Sequence, residues 1–216
     1  MSANPSVAVV IPAFNEASTV ASVIAVAQAS ELGSVYVIDD GSSDPTAQAS
    51  QDAGSTVHSL PQNQGKGGAL AFAANVLNED VLVLVDADLT DLKPHHVQQL
   101  AAPVLVGDAH MTRGIFKGGR FRTTAAQYLA PQLSGQRAVL RSKLAEVEGL
   151  AESRYGVEIV ITQHASKHRW RTQDVWLEGV SQIMKEEKRG VLRGFWIRLG
   201  MYGDILKAYW QHWVKT

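Results

Sequence analysis

Short apolar runs alternate with helical patterns along the first half of the chain, and this alternation constrains the fold more than any other feature. The runs that indicate strands are VAVVIPAFNE, SVYVIDDGSSD, STVHSL and DVLVLVDAD. The segments with apolar residues at helical spacing are ASTVASVIAVAQAS, PTAQASQDAG, GKGGALAFAANVL and KPHHVQQLAAPVL. Strands that alternate with helices predict an α/β fold with a mostly parallel sheet and helices on both of its faces.

Local signals predict where these elements begin and end. Pro12 is expected to break the first strand, because proline has no N–H for a sheet ladder. Ser18 or Thr19 is expected to cap the first helix, and Gly54 to end the second. Further along, the apolar content of YGVEIVITQHASKHRW fits either a strand or a helix.

Acidic residues follow three of the predicted strands. Glu16 follows the first, Asp39 and Asp40 end the second, and Asp86 and Asp88 end the run LVLVDAD. The carboxyl ends of parallel strands meet at one edge of a sheet, which is where ligands bind in such folds. Two like charges beside a buried strand are costly unless a cation or hydrogen-bond donors stabilise them. We therefore expect one acidic crevice that binds a cation.

Composition limits the classes of protein that need to be considered. The chain has 216 residues, 45% hydrophobic and 19% charged, which is typical of one or two globular domains. A net charge of −1 indicates no nucleic-acid partner. The absence of cysteine excludes disulfides, thiolate metal sites and cysteine nucleophiles, and it fits a cytoplasmic protein. The N-terminus has no pattern typical of a signal peptide or a spanning helix.

The last part of the chain differs in character, and we divide the chain into a domain over residues 1–190 and a tail over residues 191–216. The tail is aromatic and basic, with apolar residues at steps of three and four, so it predicts an amphipathic helical extension. Such a helix can lie on a membrane, which would associate the protein with the cytoplasmic face, or it can pack on the domain or on a second subunit as a homodimer.

Four motifs carry a resemblance to a known family: IPAFNE, IDDGSSD, NQGKGGAL and VDADL, in this order. Together they resemble the nucleotide-sugar half of family 2 glycosyltransferases with a GT-A fold, closely over residues 6–92 and onward through LSGQRAVLRS. The segment SGQRA is similar to the polyprenyl-phosphate sugar transferases typified by dolichol-phosphate mannose synthase. The segment YGVEI is similar to glucosyl-3-phosphoglycerate synthases. The resemblance implies a Rossmann-like GT-A sheet, to which the pattern of the tail adds a C-terminal helical extension.

The resemblance also implies a UDP- or GDP-linked sugar donor and a divalent cofactor, Mg²⁺ or Mn²⁺. Asp88 would ligate the metal in the Asp86–Ala87–Asp88 motif, and Asp86 would face the ribose and metal-bound water. Asp40, with Asp39 as the second candidate, would accept from the base N–H, and Lys66 would contact the nucleotide or its phosphate. The remaining residues implied around the base and ribose are Pro12, Ala13, Phe14 and Glu16.

On the acceptor side the resemblance implies an anionic or lipid-linked acceptor that carries phosphate. Asp91 and Glu158 are the candidate general bases, so the candidate catalytic residues are these two and Asp88. The candidate acceptor residues are Arg113, Arg120, Ser134, Gln136, Arg137 and Tyr155.

One position that would ligate the metal differs from the family pattern. Where related chains carry a histidine that completes the metal site, this chain has Gln182 in the segment GVSQIMKEEK. An amide oxygen can ligate Mg²⁺ or Mn²⁺. Gln182 is therefore a candidate third ligand beside Asp86 and Asp88, with His164, His168 or water as alternatives.

Two other classes of protein compete with a glycosyltransferase. A nucleotidyltransferase also places paired aspartates on such a sheet, but it needs a cation after the first strand, where PAFNEAST has none. A non-catalytic nucleotide-sugar binding protein would keep the carboxylates and release no nucleoside diphosphate. The full P-loop pattern and the dinucleotide fingerprint are both missing.

Overall fold

The computed structural model describes residues 5–117 and 135–182, without the side chains of Tyr155, Ser181 and Gln182. Arg120, Ser134 and the predicted tail over residues 191–216 lie outside the described residues. The described strands are β1 Val7–Ala13, β2 Ser34–Asp39, β3 Thr56–Ser59, β4 Val81–Leu84, β5 Leu89–Thr90, β6 Met111–Lys117, β7 Arg137–Leu140, β8 Thr172–Glu178 and β9 Ser181–Gln182. The helices are α1 Val20–Ala29, α2 Thr46–Asp52, α3 Gly65–Val76, α4 Pro94–Leu105, α5 Arg141–Ala145 and α6 Val157–Lys167, with a 3-10 segment over Ala151–Gly156.

Within the described residues, seven strands form one sheet in the order β3-β2-β1-β4-β7-β6-β8. The pairs β3–β2, β2–β1, β1–β4 and β6–β8 are parallel, and only β7 runs against its neighbours. A mostly parallel sheet, as predicted, is confirmed. Because β7 is reversed, its first residues lie at the same edge as the carboxyl ends of β1, β2, β4 and β6. The two-residue strands β5 and β9 pair beyond that edge.

Alternating residues of the central strands pack into two cores, one on each face of the sheet. Val9, Ile11 and Val83 face the core that α1 and α4 cover. Val10 and Leu82 face the core that α3 and α6 cover. All of these side chains are fully buried. Burial on both faces is the reason that the strands read as continuous apolar runs, and it makes the sheet edge a rigid support for polar side chains.

The structure differs from the sequence predictions at Pro12 and at Thr19, on either side of the turn that joins β1 to α1. Strand β1 continues through Pro12, which pairs with Ile38 of β2. Proline is tolerated there because the register of β1 with β4 ends at Val10, so the missing N–H interrupts no ladder on that side. Thr19 is the N-cap residue of α1, but its hydroxyl donates to Glu16 instead of accepting from the helix.

The second half contains three strands that no sequence pattern predicted, β6, β7 and β8. Strand β8 is an edge strand with mostly exposed residues, and it therefore lacks the apolar signature of a buried strand. The ambiguous segment YGVEIVITQHASKHRW forms a helix over Val157–Lys167 rather than a strand. Its buried residues Val157 and Ile161 are four apart, which is the spacing of one helical face.

Candidate active site

Lys66, in the first turn of α3, joins two carboxylates at the carboxyl edge of the sheet. Its Nζ lies 2.5 Å from Asp86 Oδ1 and 2.7 Å from Glu158 Oε1. Burial lowers the pKa of Lys66, but the charges of Asp86 and Glu158 outweigh burial and raise the pKa above the usual lysine value. The ammonium therefore stays protonated at neutral pH and balances two acids that would otherwise repel each other.

Residues at the start of β7 complete this cluster. Gln136 Nε2 donates to Asp86 Oδ2 over 2.8 Å, so both oxygens of Asp86 accept from described side chains. Gly135 packs directly against Lys66 Nζ and the Asp86 carboxylate, where a Cβ atom would overlap both. A side chain at this position would have to displace the Lys66 ammonium or the Asp86 carboxylate. The cluster unites four segments that are far apart in the sequence.

Asp88 is the second acid of the D-x-D motif, and it is 5% exposed. The residue after it, Leu89, pairs directly with Gln182 across the β5–β9 ladder. The backbone of Gln182 therefore lies beside the motif, although 94 positions separate it from Asp88 in the sequence. Within the described residues, no three histidine, aspartate or glutamate side chains form a metal site by themselves. Two carboxylates nevertheless fit Mg²⁺ or Mn²⁺, which take few protein ligands when phosphate and water supply the others.

The acids that end β2 have different surroundings. Asp40 accepts from the backbone N–H groups of Gln64 and Gly65 and from the side chain of Asn63, each over 2.8 Å. Burial raises the pKa of Asp40, and the two backbone hydrogen bonds oppose that rise. Asp39 is equally buried but accepts from Ser42 N at 3.1 Å. Asp40 therefore holds the turn before α3, and Asp39 is the less engaged of the two.

The end of β1 supplies the remaining candidates for the donor site. Ala13 is buried, whereas Pro12 and Phe14 are half-buried at the edge. Glu16 Oε2 accepts from Thr19, and Glu16 N donates to Thr46 Oγ1. The first contact ties Glu16 to the turn that leads into α1, and the second ties it to the first residue of α2.

Two asparagines that sequence reasoning missed shape the loops around the site. Asn15 has φ 56°, and its Oδ1 accepts from the backbone N–H groups of Ser43 and Asp44. Asn63 links the α3 turn to Asp40, as described above. The signal that could have identified Asn15 is its position in a turn, since asparagine adopts positive φ more readily than most residues.

The two described arginines of the predicted acceptor site form hydrogen bonds and an ion pair with other residues of the chain. Arg137 is 1% exposed, and its guanidinium donates to Glu158 O over 3.1 Å and to Thr162 Oγ1 over 3.0 Å. Burial lowers the pKa of Arg137 to about 10. Arg113 Nε lies 2.8 Å from Asp174 Oδ1 on β8. In the described residues Arg137 therefore holds the start of α6, which carries Glu158, against β7.

The two candidate bases are not equivalent. Glu158 belongs to the cluster around Lys66, and its side chain is 15% exposed. Asp91 is exposed, follows β5 and has φ 60°. Of the alternative third ligands, His164 stacks on His168 and contacts Trp170. His164 lies about 9 Å further along α6 than Glu158, at about 1.5 Å per residue, and so does not join the cluster.

None of the described helices is long and apolar enough to cross a membrane.

The sheet order and the D-x-D cluster at its carboxyl edge define an α/β fold of the GT-A type. The chain belongs to glycosyl transferase family 2, whose family model matches residues 8–148. The resemblance inferred from the four motifs is therefore confirmed.

Relatives and solved structures agree with this family. The chain is 40% identical over 86 residues to protein RfbJ of Shigella flexneri, and this match covers 39% of this chain and 66% of that protein. It is 34% identical over 126 residues to glucosyl-3-phosphoglycerate synthase of Mycolicibacterium smegmatis, and this match covers 53% of this chain and 42% of the synthase. The chain thus spans two thirds or less of the length of these relatives.

A crystal structure of glucosyl-3-phosphoglycerate synthase from Mycobacterium tuberculosis in complex with Mn²⁺, uridine-diphosphate-glucose and phosphoglyceric acid has a TM-score of 0.75. The sequence identity to that structure is 25%, and the match covers 95% of this chain and 78% of that chain.

Proposed function

We propose that the protein transfers a hexose from a UDP- or GDP-linked sugar to an acceptor that carries phosphate, assisted by Mg²⁺ or Mn²⁺. The observation that carries the proposal is the cluster of Asp86, Lys66, Gln136 and Glu158 beside the buried Asp88. Three carboxylates and the ammonium of Lys66 thus lie at the sheet edge where ligands bind in open α/β folds.

Each residue has a role in this proposal that follows from its surroundings. Asp88 and Asp86 would hold the metal, with Gln182 or water as a further ligand. When bound, the cation stabilises the negative charge that develops on the departing nucleoside diphosphate. Lys66 would keep a second positive charge beside the diphosphate. Asp39 or Asp40 would accept from the base N–H, and Asp39 has the more available carboxylate.

Glu158 is the better of the two candidate bases for the acceptor hydroxyl. Its carboxylate is held by Lys66 at the cluster, whereas Asp91 is exposed beyond β5. Arg137 supports this role indirectly, because it fixes the backbone carbonyl of Glu158.

A phosphate-bearing acceptor is supported by the phosphoglyceric acid in the solved synthase structure and by the basic segment from Arg113 to Arg122. Arg120, Ser134 and Tyr155 remain proposed acceptor residues. Lipid phosphate and a small phospho-acid are separate candidates. A screen of UDP- and GDP-sugars against polyprenyl phosphate and phosphoglycerate, with nucleoside diphosphate release as the readout, distinguishes them.

The metal site is tested with Asp88→Asn, because an amide is a weaker ligand for Mn²⁺ than a carboxylate. We expect the variant to lose Mn²⁺-dependent binding of UDP or GDP by at least about tenfold in calorimetry, with an unchanged fold by circular dichroism. Asp108→Asn is the matched control, since Asp108 is exposed and precedes β6 at the opposite edge of the sheet. Equal binding by both variants and wild type, with or without Mn²⁺, would contradict the proposal.

A further inference from the structure

Arg154 has a backbone conformation that residues other than glycine rarely adopt. It lies in the 3-10 segment Ala151–Gly156 with φ 45° and ψ −107°, so the helical geometry is interrupted at this residue. The ψ value takes it outside the left-handed region that asparagine and aspartate use. Such a conformation costs free energy, and residues that keep it cluster at sites where their side chain is needed.

The segment around Arg154 packs directly on the glycine turn that begins α3. A Cβ atom at Gly65 would lie 2.8 Å from Arg154 Cα and 3.0 Å from its Cβ. A Cβ atom at Gly67 would overlap the carbonyl of Leu150 and the hydroxyl of Ser153. The backbone of Arg154 is therefore held against the same turn that presents Lys66, which explains how the strained conformation is maintained.

The guanidinium of Arg154 lies near Asp40, with Asn63 between them. Its Nη2 is 3.4 Å from Asn63 Oδ1, and Asn63 Nδ2 donates to Asp40 Oδ2 over 2.8 Å. The positive charge of Arg154 also lowers the pKa of Asp40, against the effect of burial. Arg154 itself is exposed, so its guanidinium is accessible from solvent. A hydrogen-bond donor and a carboxylate acceptor thus stand next to each other.

We propose that Arg154 selects the base of the nucleotide donor by donating to the carbonyl oxygen next to the base N–H that Asp39 or Asp40 accepts. Uracil and guanine each present an N–H flanked by a carbonyl, which matches an acceptor beside a donor. Cytosine and adenine instead present a ring nitrogen that accepts, beside an amino group that donates. The ring nitrogen would then face the aspartate carboxylate, and the amino group would face the Arg154 guanidinium, so neither pair could form a hydrogen bond. This inference rests on the proposed function and deepens it, because it assigns base selection to one residue.

The strain of Arg154 supports a role in binding over a role in stability. An exposed side chain adds little to packing, so packing gives no reason for an unfavourable backbone conformation at Arg154. Glycine would adopt the same φ and ψ without this cost. Arg154→Gly should therefore remove the guanidinium and relieve the strain, while Arg154→Ala removes the guanidinium and keeps most of the strain.

The experiment compares UDP with CDP, which differ only at the edge of the base that the proposal concerns. Calorimetric titrations with Mn²⁺ use wild type, Arg154→Ala, Arg154→Gly and Arg154→Lys. We expect both truncations to weaken UDP binding by about tenfold and to leave CDP binding nearly unchanged. Lysine should recover part of the preference. Arg154→Gly should also melt about 3 °C above Arg154→Ala.

Arg169→Gly is the matched control. Arg169 is exposed and has φ 52°, but it lies between α6 and β8 rather than beside the α3 turn. We expect this variant to bind both nucleotides as wild type does. If the Arg154 variants keep the preference for UDP over CDP, or lose affinity for both nucleotides equally, base selection by Arg154 is wrong while the donor site stands. If wild type binds neither UDP nor GDP, the proposed function itself fails, and this inference with it.

Discussion

At the scale of single residues, the site depends on how charges are balanced. Asp86 and Glu158 both contact Lys66, and the three side chains are only 15–19% exposed. Partly buried acids of this kind repel each other unless a cation lies between them. Lys66 supplies that cation, and Gln136 holds the other oxygen of Asp86. The proposed metal would therefore enter a site whose acids are already oriented.

Lys66→Met tests this balance, because it keeps the length of the side chain and removes its charge. We expect the free energy of unfolding to fall by about 2–3 kcal/mol, since two partly buried acids lose their partner. Adding Glu158→Gln to this variant should restore part of the loss. Lys143→Met is the control: Lys143 pairs with Glu146 at 2.9 Å on the surface, and its removal should cost less than about 1 kcal/mol. Urea unfolding measures all of these variants, and equal losses for the two lysines would contradict the prediction.

At the scale of elements, the turn before α3 is organised by the end of β2. Asp40 accepts from the first free N–H groups of α3, as an N-cap side chain does, although 24 positions separate it from Gln64. This contact joins strand and helix at the donor edge and fixes the turn that carries Lys66. Arg137 joins β7 to the first turn of α6, because its guanidinium donates to the carbonyl of Glu158.

Asp40→Asn and Asp39→Asn should separate the role in the turn from the role in binding. An amide has one acceptor oxygen, so Asp40→Asn places an NH₂ group against one of the N–H donors. We expect it to lower the free energy of unfolding by about 1–2 kcal/mol. Asp39→Asn should lower the free energy of unfolding by less, because Asp39 accepts from one described N–H group, that of Ser42. Guanidinium unfolding and UDP titration of both variants provide the measurements. Equal destabilisation by the two substitutions would show that Asp40 is not the main cap.

At the scale of the whole molecule, the sheet collects residues from both halves of the chain at one edge. Strands β1, β2, β4, β6 and β8 end there, and the reversed strand β7 begins there. From the end of β8 the chain continues to β9, which pairs with β5 immediately after the D-x-D motif. The two cores hold this edge from both faces of the sheet.

Histidines in different parts of the fold make the stability of the whole molecule depend on pH. Burial is the main cause that lowers the pKa of His96, His110 and His164. Because their folded-state pKa values lie below the unfolded value of about 6.5, the unfolded chain binds more protons at acid pH. Their contribution to stability is complete above that pH and is lost as the pH falls through the folded-state values.

We therefore expect the free energy of unfolding to decrease between pH 7.5 and pH 5.5, measured by urea unfolding at several pH values. His96→Asn should make this decrease smaller, because an amide does not bind a proton in this pH range. The amide oxygen can replace Nδ1 as the acceptor for Lys93 N, which His96 binds at 3.2 Å. His95→Asn is the control, because His95 is its exposed neighbour. A pH dependence that is the same in wild type and His96→Asn would contradict this assignment.

The sequence by itself determined the parallel half of the fold and the location of its acids. Glu16, Asp39 and Asp88 follow apolar runs, and the polarity of parallel strands brings such ends together whatever the rest of the chain does. The strand–helix alternation, the D-x-D motif and the glycine turn are local patterns, so they can be recognised without knowledge of distant contacts. The family resemblance rested on these same motifs and was confirmed for this reason.

Tertiary structure alone decided which partners those acids have. Lys66 contacts Glu158 across 92 positions, Gln136 reaches Asp86 across 50, and Leu89 pairs with Gln182. Strands β6, β7 and β8 pair with one another and, through β7, with β4, and no periodic apolar pattern revealed them in the sequence. The burial of Arg137 and the strained backbone of Arg154 likewise have no local signature. Contacts of this kind arise only when the whole sheet closes around two cores, because packing and not local propensity selects them.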